Sequence, residues 1–211
     1  RQVSSAASDV YKRQTLDDSV GEAFDKASII LDLGWPGGKN IEKAAENGDP
    51  QSYNLPRPMI KRNNADFSLS GLKTALFRIA EKETLNKKVK SNLAASFQSA
   101  ATDVIEDRCL NAFKIIKKIN NNCKNFVAVG GVAANKVIRK RLTNLSKMKN
   151  FSPYFPPVEI CTDNGAMIAW NGIEKILKYG ISNINDPDFE PRTRWPLDPM
   201  AKPIRNAKEP R

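Results

Sequence analysis

Three groups of residues in this chain have the types and spacing from which a nucleotide site can be built. In Val127–Asn135 (VAVGGVAAN), the apolar run Phe126-Val127-Ala128-Val129 leads into Gly130-Gly131 and then a segment carrying Lys136, Arg139, Lys140 and Arg141. Two glycines where a buried strand turns into a helix let backbone N–H groups approach a phosphate, and the helix N-terminus adds a favourable dipole. In Cys161–Ala169 (CTDNGAMIA), Asp163 sits in the polar turn Thr162-Asp163-Asn164-Gly165. A carboxylate there suits a hard cation or a nucleotide hydroxyl. The third group is Asp25, Gly37-Gly38 and Glu42. Two carboxylates flanking a glycine turn can accept hydrogen bonds from ribose hydroxyls, while the glycines admit the sugar or base.

Each group also has a plainer reading. A strand, two glycines and a helix form an ordinary connection in many α/β proteins. Asp163 fits the N-cap of the helix expected from Ala166. Asp25 and Glu42 fit solvated helix charges. From spacing alone both readings stand.

The elements that must position these residues follow from hydrophobic periodicity. Val20, Ala23, Phe24, Ala27, Ile30 and Leu31 recur at three and four, which predicts a helix over Asp18 to Leu33. Trp35-Pro36-Gly37-Gly38 makes a turn before a short helix from Asn40 to Asn47, and Gly48 to Arg62 is proline-rich and extended. Asp66 to Gly71 alternates like a strand or strand edge, and Leu72 to Ala80 reads as helix. Val89 to Ile119 is the longest periodic segment, one or two helices. A basic helix is expected over 136–149, a loop entering another strand over Tyr154 to Ile160, and a helix over Met167 to Tyr179 with Ile168, Gly172, Ile173, Ile176 and Leu177 inward. This order gives an α/β arrangement, with the glycine loop and Asp163 near the C-terminal ends of strands.

Composition narrows the partners. The 211 residues carry 34 Lys and Arg against 23 Asp and Glu, a formal charge of +11 that favours a polyanion such as RNA. There is no histidine, so this chain alone builds no Ser-His-Asp, Cys-His or histidine-ligated metal site. Cys109, Cys123 and Cys161 lack metal-like spacing, and their odd number speaks against a disulfide framework, so a reducing cytoplasm is the expected setting. No apolar run reaches the length of a membrane span, and no membrane partner is expected. Residues 1–14 (RQVSSAASDVYKRQ) resemble translated sequencing-adapter read-through and are expected to be non-native; 199–211 is a polar, basic tail.

Four motifs in order identify the region 15–198 by resemblance: GEAFDKASIILDLGWPGG (Gly21–Gly38), DFSLSGLKTAL (Asp66–Leu76), VAVGGVAAN, and PPVEICTDNGAMIAWNG (Pro156–Gly172), with a closing RWPL (Arg194–Leu197). They resemble the TsaD family, the tRNA N6-adenosine threonylcarbamoyltransferases once labelled glycoprotein endopeptidases. The resemblance implies an actin-like ATPase fold of two lobes, shared with sugar kinases and heat-shock-type chaperones, of which this chain is mostly the C-terminal part. It implies transfer of a threonylcarbamoyl group from threonylcarbamoyl-AMP to N6 of adenosine 37 in tRNAs that read codons beginning with A. Asp25 and Gly38 match substrate-contacting positions, Glu42 a position that contacts nucleotide in some members, and Asn135 the substrate-binding asparagine. Gly130 and Gly131 would cradle the adenylate phosphate. Asp163 matches a metal-ligating aspartate, the metal being iron(II) with zinc as the alternative. The family's partners are tRNA, a TsaB-like paralogue, a TsaE-like ATPase and the TsaC-type adenylate synthase.

This chain departs from the family by lacking the His-x-x-x-His metal motif of the N-terminal lobe. The expectation is an N-terminally truncated chain that is inactive alone while its parent is active. The residues name no general base. Lys73, Lys87, Lys88, Lys90 and the basic helix are candidate tRNA contacts. The competing readings are a non-catalytic nucleotide- or RNA-binding lobe and an ATP-dependent kinase or chaperone of the same superfamily.

Overall fold

A computed structural model describes residues 17–162 and 164–181. Contacts divide the chain into two units, one of residues 15–167 and another whose described part is 168–181. In the first unit, Ser19 opens helix α1 (Val20–Ile30) by accepting the Glu22 N–H on its Oγ at 3.3 Å. Ala23, Phe24 and Ala27 point inward, followed by Leu31 just past the helix end. Helix α2 (Gly37–Ala45) buries Ile41 and Ala45, and α3 (Ser70–Ala80) buries Leu72, Leu76 and Ala80 at intervals of four.

Helix α4 (Lys87–Ile119) is the spine. Its 33 residues span about 50 Å at 1.5 Å per residue, and α1, α2, α3 and the later α5 all pack on it. Asn86 caps its start through the Val89 N–H at 3.0 Å, and Lys117 and Lys118 in the last turn complement the helix dipole. Leu93, Phe97, Ala101 and Val104 have no exposed surface. Phe24 of α1 meets Phe97 edge-on with ring centroids 5.2 Å apart, which locks the crossing of the two helices. Of the two alternatives left open for this segment the single helix holds, since no proline or glycine interrupts it.

Strand β1 (Asn125–Val127) pairs in parallel with β2 (Ser152–Tyr154), and α5 (Lys136–Met148) is the crossover between them. Ile138, Leu142 and Leu145 anchor α5 to the core. Phe113, Phe126, Phe151 and Phe155 interlock beneath the strands; Phe113 and Phe151 stack at 4.2 Å. The described part is therefore helix-rich α/β with a small parallel sheet.

Four expectations are corrected. The strand expected over Phe126 to Val129 is three residues long and not buried: Val127 is 62% and Val129 70% exposed. With one paired neighbour, apolar content alone does not put a strand inside a sheet. Val158–Ile160 is a single 3₁₀ turn rather than a strand, because Pro156 and Pro157 supply no N–H to a ladder. Asp66 to Gly71 forms an isolated bridge at Phe67, and the helix already starts at Ser70. Helix α6 (Gly165–Tyr179) forms as expected but buries none of its residues, Ile168, Ile173, Ile176 and Leu177 included. Apolar spacing decides which residues share a face, not what covers it. The 1–14 and 199–211 segments lie outside the described residues.

Candidate functional site

Asp25 and Glu42 each meet the N-terminus of a helix. Asp25 Oδ1 accepts the Gly37 N–H at 2.8 Å, at the first residue of α2. Pro36 precedes that helix and offers no side-chain cap, so the carboxylate serves an N–H that the helix leaves unpaired. A Cβ at Gly37 would stand 2.3 Å from the Asp25 Cα, so only glycine permits this crossing. Glu42, one turn into α2, accepts the Lys136 N–H on Oε1 at 2.7 Å, at the first residue of α5. Each bond engages one oxygen of its carboxylate.

The diglycine turn leads into the α5 start that Glu42 meets. Gly130 has φ 83° and ψ 179°, a conformation that only glycine adopts freely. It opens a 3₁₀ turn over Gly131–Ala134, closed by Ala133 N–H to Gly130 O at 3.0 Å and Asn135 N–H to Val132 O at 3.2 Å. Helix α1 packs against this turn. Asn135 is buried at 7% exposure. Its Oδ1 accepts the Ile138 N–H at 3.0 Å, capping α5, and its Nδ2 donates to Gln98 Oε1 at 2.7 Å. Space beside Gly38, Gly130 and Gly131 is open: no atom lies within 4 Å of where a Cβ would stand.

The structure thus joins two of the three groups read from the sequence. Asp25, Gly38 and Glu42 adjoin Gly130, Gly131 and Asn135 through the α1 packing on the turn and the Glu42–Lys136 bond. Asp163 lies outside the described residues. Beside it, Asn164 Oδ1 accepts the Met167 N–H at 3.0 Å, so Asn164 caps the start of α6.

Gln98 and Asp17 were missed by the sequence reading. Gln98 carried one signal, a polar side chain inside the apolar stripe of α4. Asp17 caps α3 from a distance. Its carboxylate accepts from the Leu69 and Ser70 N–H groups and from the Ser68 and Ser70 hydroxyls, at 2.6 to 3.3 Å. Burial opposes its ionisation, but the Ser68, Leu69 and Ser70 bonds outweigh that and hold the carboxyl below its ordinary value.

Several cations expected to face RNA are engaged internally. Lys73 pairs with Asp18 at 3.0 Å and Lys90 with Asp32 at 2.9 Å. Arg141 bonds Asp103 and Glu106, while Lys87, Lys88, Lys136 and Lys140 are exposed.

Among the described residues, no three of His, Cys, Asp or Glu gather as a metal site would require. The Cys161 thiol is buried against the Pro156 and Pro157 carbonyls and the Arg139 guanidinium. The described residues do not by themselves form a cradle for a metal.

The family model described as tRNA N6-adenosine threonylcarbamoyltransferase, TsaD, matches residues 1–170. Curated proteins of that name are similar over most of this chain. The one from Zymomonas mobilis is 46% identical over 199 residues, which is 93% of this chain and 53% of its own length. Those from Ehrlichia canis and Pelagibacter ubique are each 44% identical, over 90% and 93% of this chain and 54% and 55% of their own. The chain spans about half the length of the curated relatives it matches.

Proposed function

The chain belongs to the TsaD family of tRNA N6-adenosine threonylcarbamoyltransferases, and from that premise we propose that its 17–162 region supplies the adenylate-binding surface for threonylcarbamoyl transfer to tRNA. The donor is threonylcarbamoyl-AMP and the acceptor is N6 of adenosine 37 in tRNAs reading codons that begin with A. The fold is the actin-like ATPase type with two lobes, and 15–198 is the family-like region. The observation that carries this reading is the junction of the two glycine regions through the Glu42–Lys136 bond.

In the transfer, the exocyclic amine attacks the carbamoyl carbon. The new N–C bond forms, the C–O bond to the adenylate phosphate breaks, AMP leaves, and the amine loses a proton to solvent. This chain's residues bind and orient. The open Gly130-Gly131 turn offers backbone N–H groups to the phosphate. Gly38 leaves room for the nucleoside, and the second oxygens of Asp25 and Glu42 accept ribose hydroxyls. Asn135 caps the α5 start with Oδ1 and gives one Nδ2 N–H to Gln98, and its second amide N–H is the group that binds a polar edge of the substrate. Holding the adenylate in one pose lowers the entropic part of the barrier for a weakly nucleophilic amine.

The metal of this reading is a divalent ion, iron(II) or zinc, with Asp163 as the one ligand from this chain. With no histidine present, the 211 residues are expected to bind adenylate without sustaining turnover. That is the second reading, a non-catalytic nucleotide-binding lobe, applied to the isolated chain. The exposed Lys87, Lys88, Lys136 and Lys140 are the proposed tRNA contacts. The protein partners are a TsaB-like paralogue, a TsaE-like ATPase and a TsaC-type synthase, in the cytoplasm. Among the described residues no helix is long and apolar enough to cross a membrane.

The test is an assay of the 211-residue chain with threonylcarbamoyl-AMP and tRNA, alongside calorimetric titration with AMP. Saturable AMP binding without transfer supports the reading. Turnover near that of the Zymomonas relative would refute the inactivity of the chain, and absence of AMP binding would refute the site.

A further inference from the structure

Arg139 lies in the first turns of α5, where the charge pattern marks it as one more RNA-facing cation. Its contacts point elsewhere. Nε donates to the Ala133 carbonyl at 2.9 Å, inside the diglycine turn. Nη2 donates to the Pro156 carbonyl at 2.9 Å and lies 3.5 Å from the Cys161 thiol, in the PPVEIC loop. The guanidinium also sits 5.0 Å from the centre of the Phe155 ring. One planar group thereby holds two motif loops that are about twenty residues apart in sequence and that, among the described residues, share no backbone hydrogen bond.

A guanidinium suits this task and an ammonium does not. Its donors project in a fixed fork, so two carbonyls bound at once are also held at a fixed separation and angle. Neither loop has regular structure of its own beyond a single 3₁₀ turn. The interior of each loop provides few bonds, so the fork supplies much of their mutual order.

We propose that Arg139 is a positioning residue: it fixes the Gly130–Ala134 turn and the Pro156–Cys161 loop in one register, and adenylate affinity depends on that register. The dependence on affinity rests on the function proposed above; the coupling of the loops does not.

Hydrogen exchange and AMP titration of the 211-residue chain separate the two. In Arg139→Gln, exchange is expected to quicken together at the Ala133, Asn135, Ile160 and Cys161 amides, while the amides of α1 and α3 stay unchanged. Arg139→Lys keeps a cation near Phe155 but cannot hold both carbonyls, so protection returns in one loop at most. AMP affinity is expected to fall about tenfold in Arg139→Gln, the scale of one charge-assisted hydrogen bond. Quickened exchange in only one loop, or in neither, would overturn the coupling. Full AMP affinity in Arg139→Gln would overturn the positioning role, and wild-type chain that binds no AMP would sink the functional reading while the exchange result still decides the coupling.

Discussion

The Glu42 carboxylate and the Lys136 backbone N–H meet at 2.7 Å across 94 residues of sequence. The bond fixes where α5 begins relative to α2, and the diglycine turn lies immediately before that start. One side chain therefore sets the relation between the two glycine regions.

Glu42→Ala is expected to cost about 1 kcal/mol, the usual worth of a group that caps a helix start. Glu42→Gln keeps an acceptor oxygen and recovers most of that loss. Urea unfolding followed by circular dichroism measures both; equal destabilisation by the two would show that the hydrogen bond is not what Glu42 contributes.

Gly37 and Gly38 separate packing from ligand approach. Gly37→Ala places a methyl 2.3 Å from the Asp25 Cα, against backbone that cannot step aside. A cost of about 2 kcal/mol or more is expected, from overpacking. Gly38→Ala meets open space inside a helix, so stability is expected to hold or rise by up to about 1 kcal/mol. AMP binding should nonetheless weaken. A Gly38→Ala chain that is stable and binds AMP fully would remove Gly38 from the site.

Asp17 gives the fold a pH dependence with a definite sign. Its folded carboxyl is held below the ordinary value of 3.8, so its contribution is fully present above that pH. The contribution is lost as pH falls through the lower, folded value. Urea titrations of wild type and Asp17→Ala should differ by about 1 kcal/mol at pH 7, as for a lost helix cap. The gap should narrow below about pH 4. A gap that widens on acidification would contradict the assignment.

Asn135→Ala removes the α5 cap and leaves the Gln98 amide buried without its partner, so about 2 to 3 kcal/mol of stability should be lost. Asn135→Ser keeps a hydroxyl cap for the α5 start without burying a charge and should lose less. Thermal unfolding of the two variants checks the order.

The helices were legible because their inward residues recur at fixed local spacing: Ala23, Phe24 and Ala27, or Leu72, Leu76 and Ala80. The short sheet was not, because the apolar run at Phe126 to Val129 records composition and not its neighbours. In the site, the glycines were visible as glycines. The partners of the polar groups were not, since Glu42 meets Lys136, Asn135 meets Gln98, and Asp17 meets Ser68 and Ser70 over 37 to 94 residues. Nothing local in sequence encodes those distances. Arg139 shows the same gap: its charge was legible, its two carbonyls were not.

The measurement that tests the shared adenylate surface most directly is calorimetric titration of AMP into wild type, Gly38→Ala, Gly131→Ala and the double variant. The surface predicts one AMP per chain, weaker binding in each single variant, and a double variant whose loss is smaller than the sum of the two. Losses that add independently, or a substitution at either glycine that leaves AMP binding untouched, would contradict it.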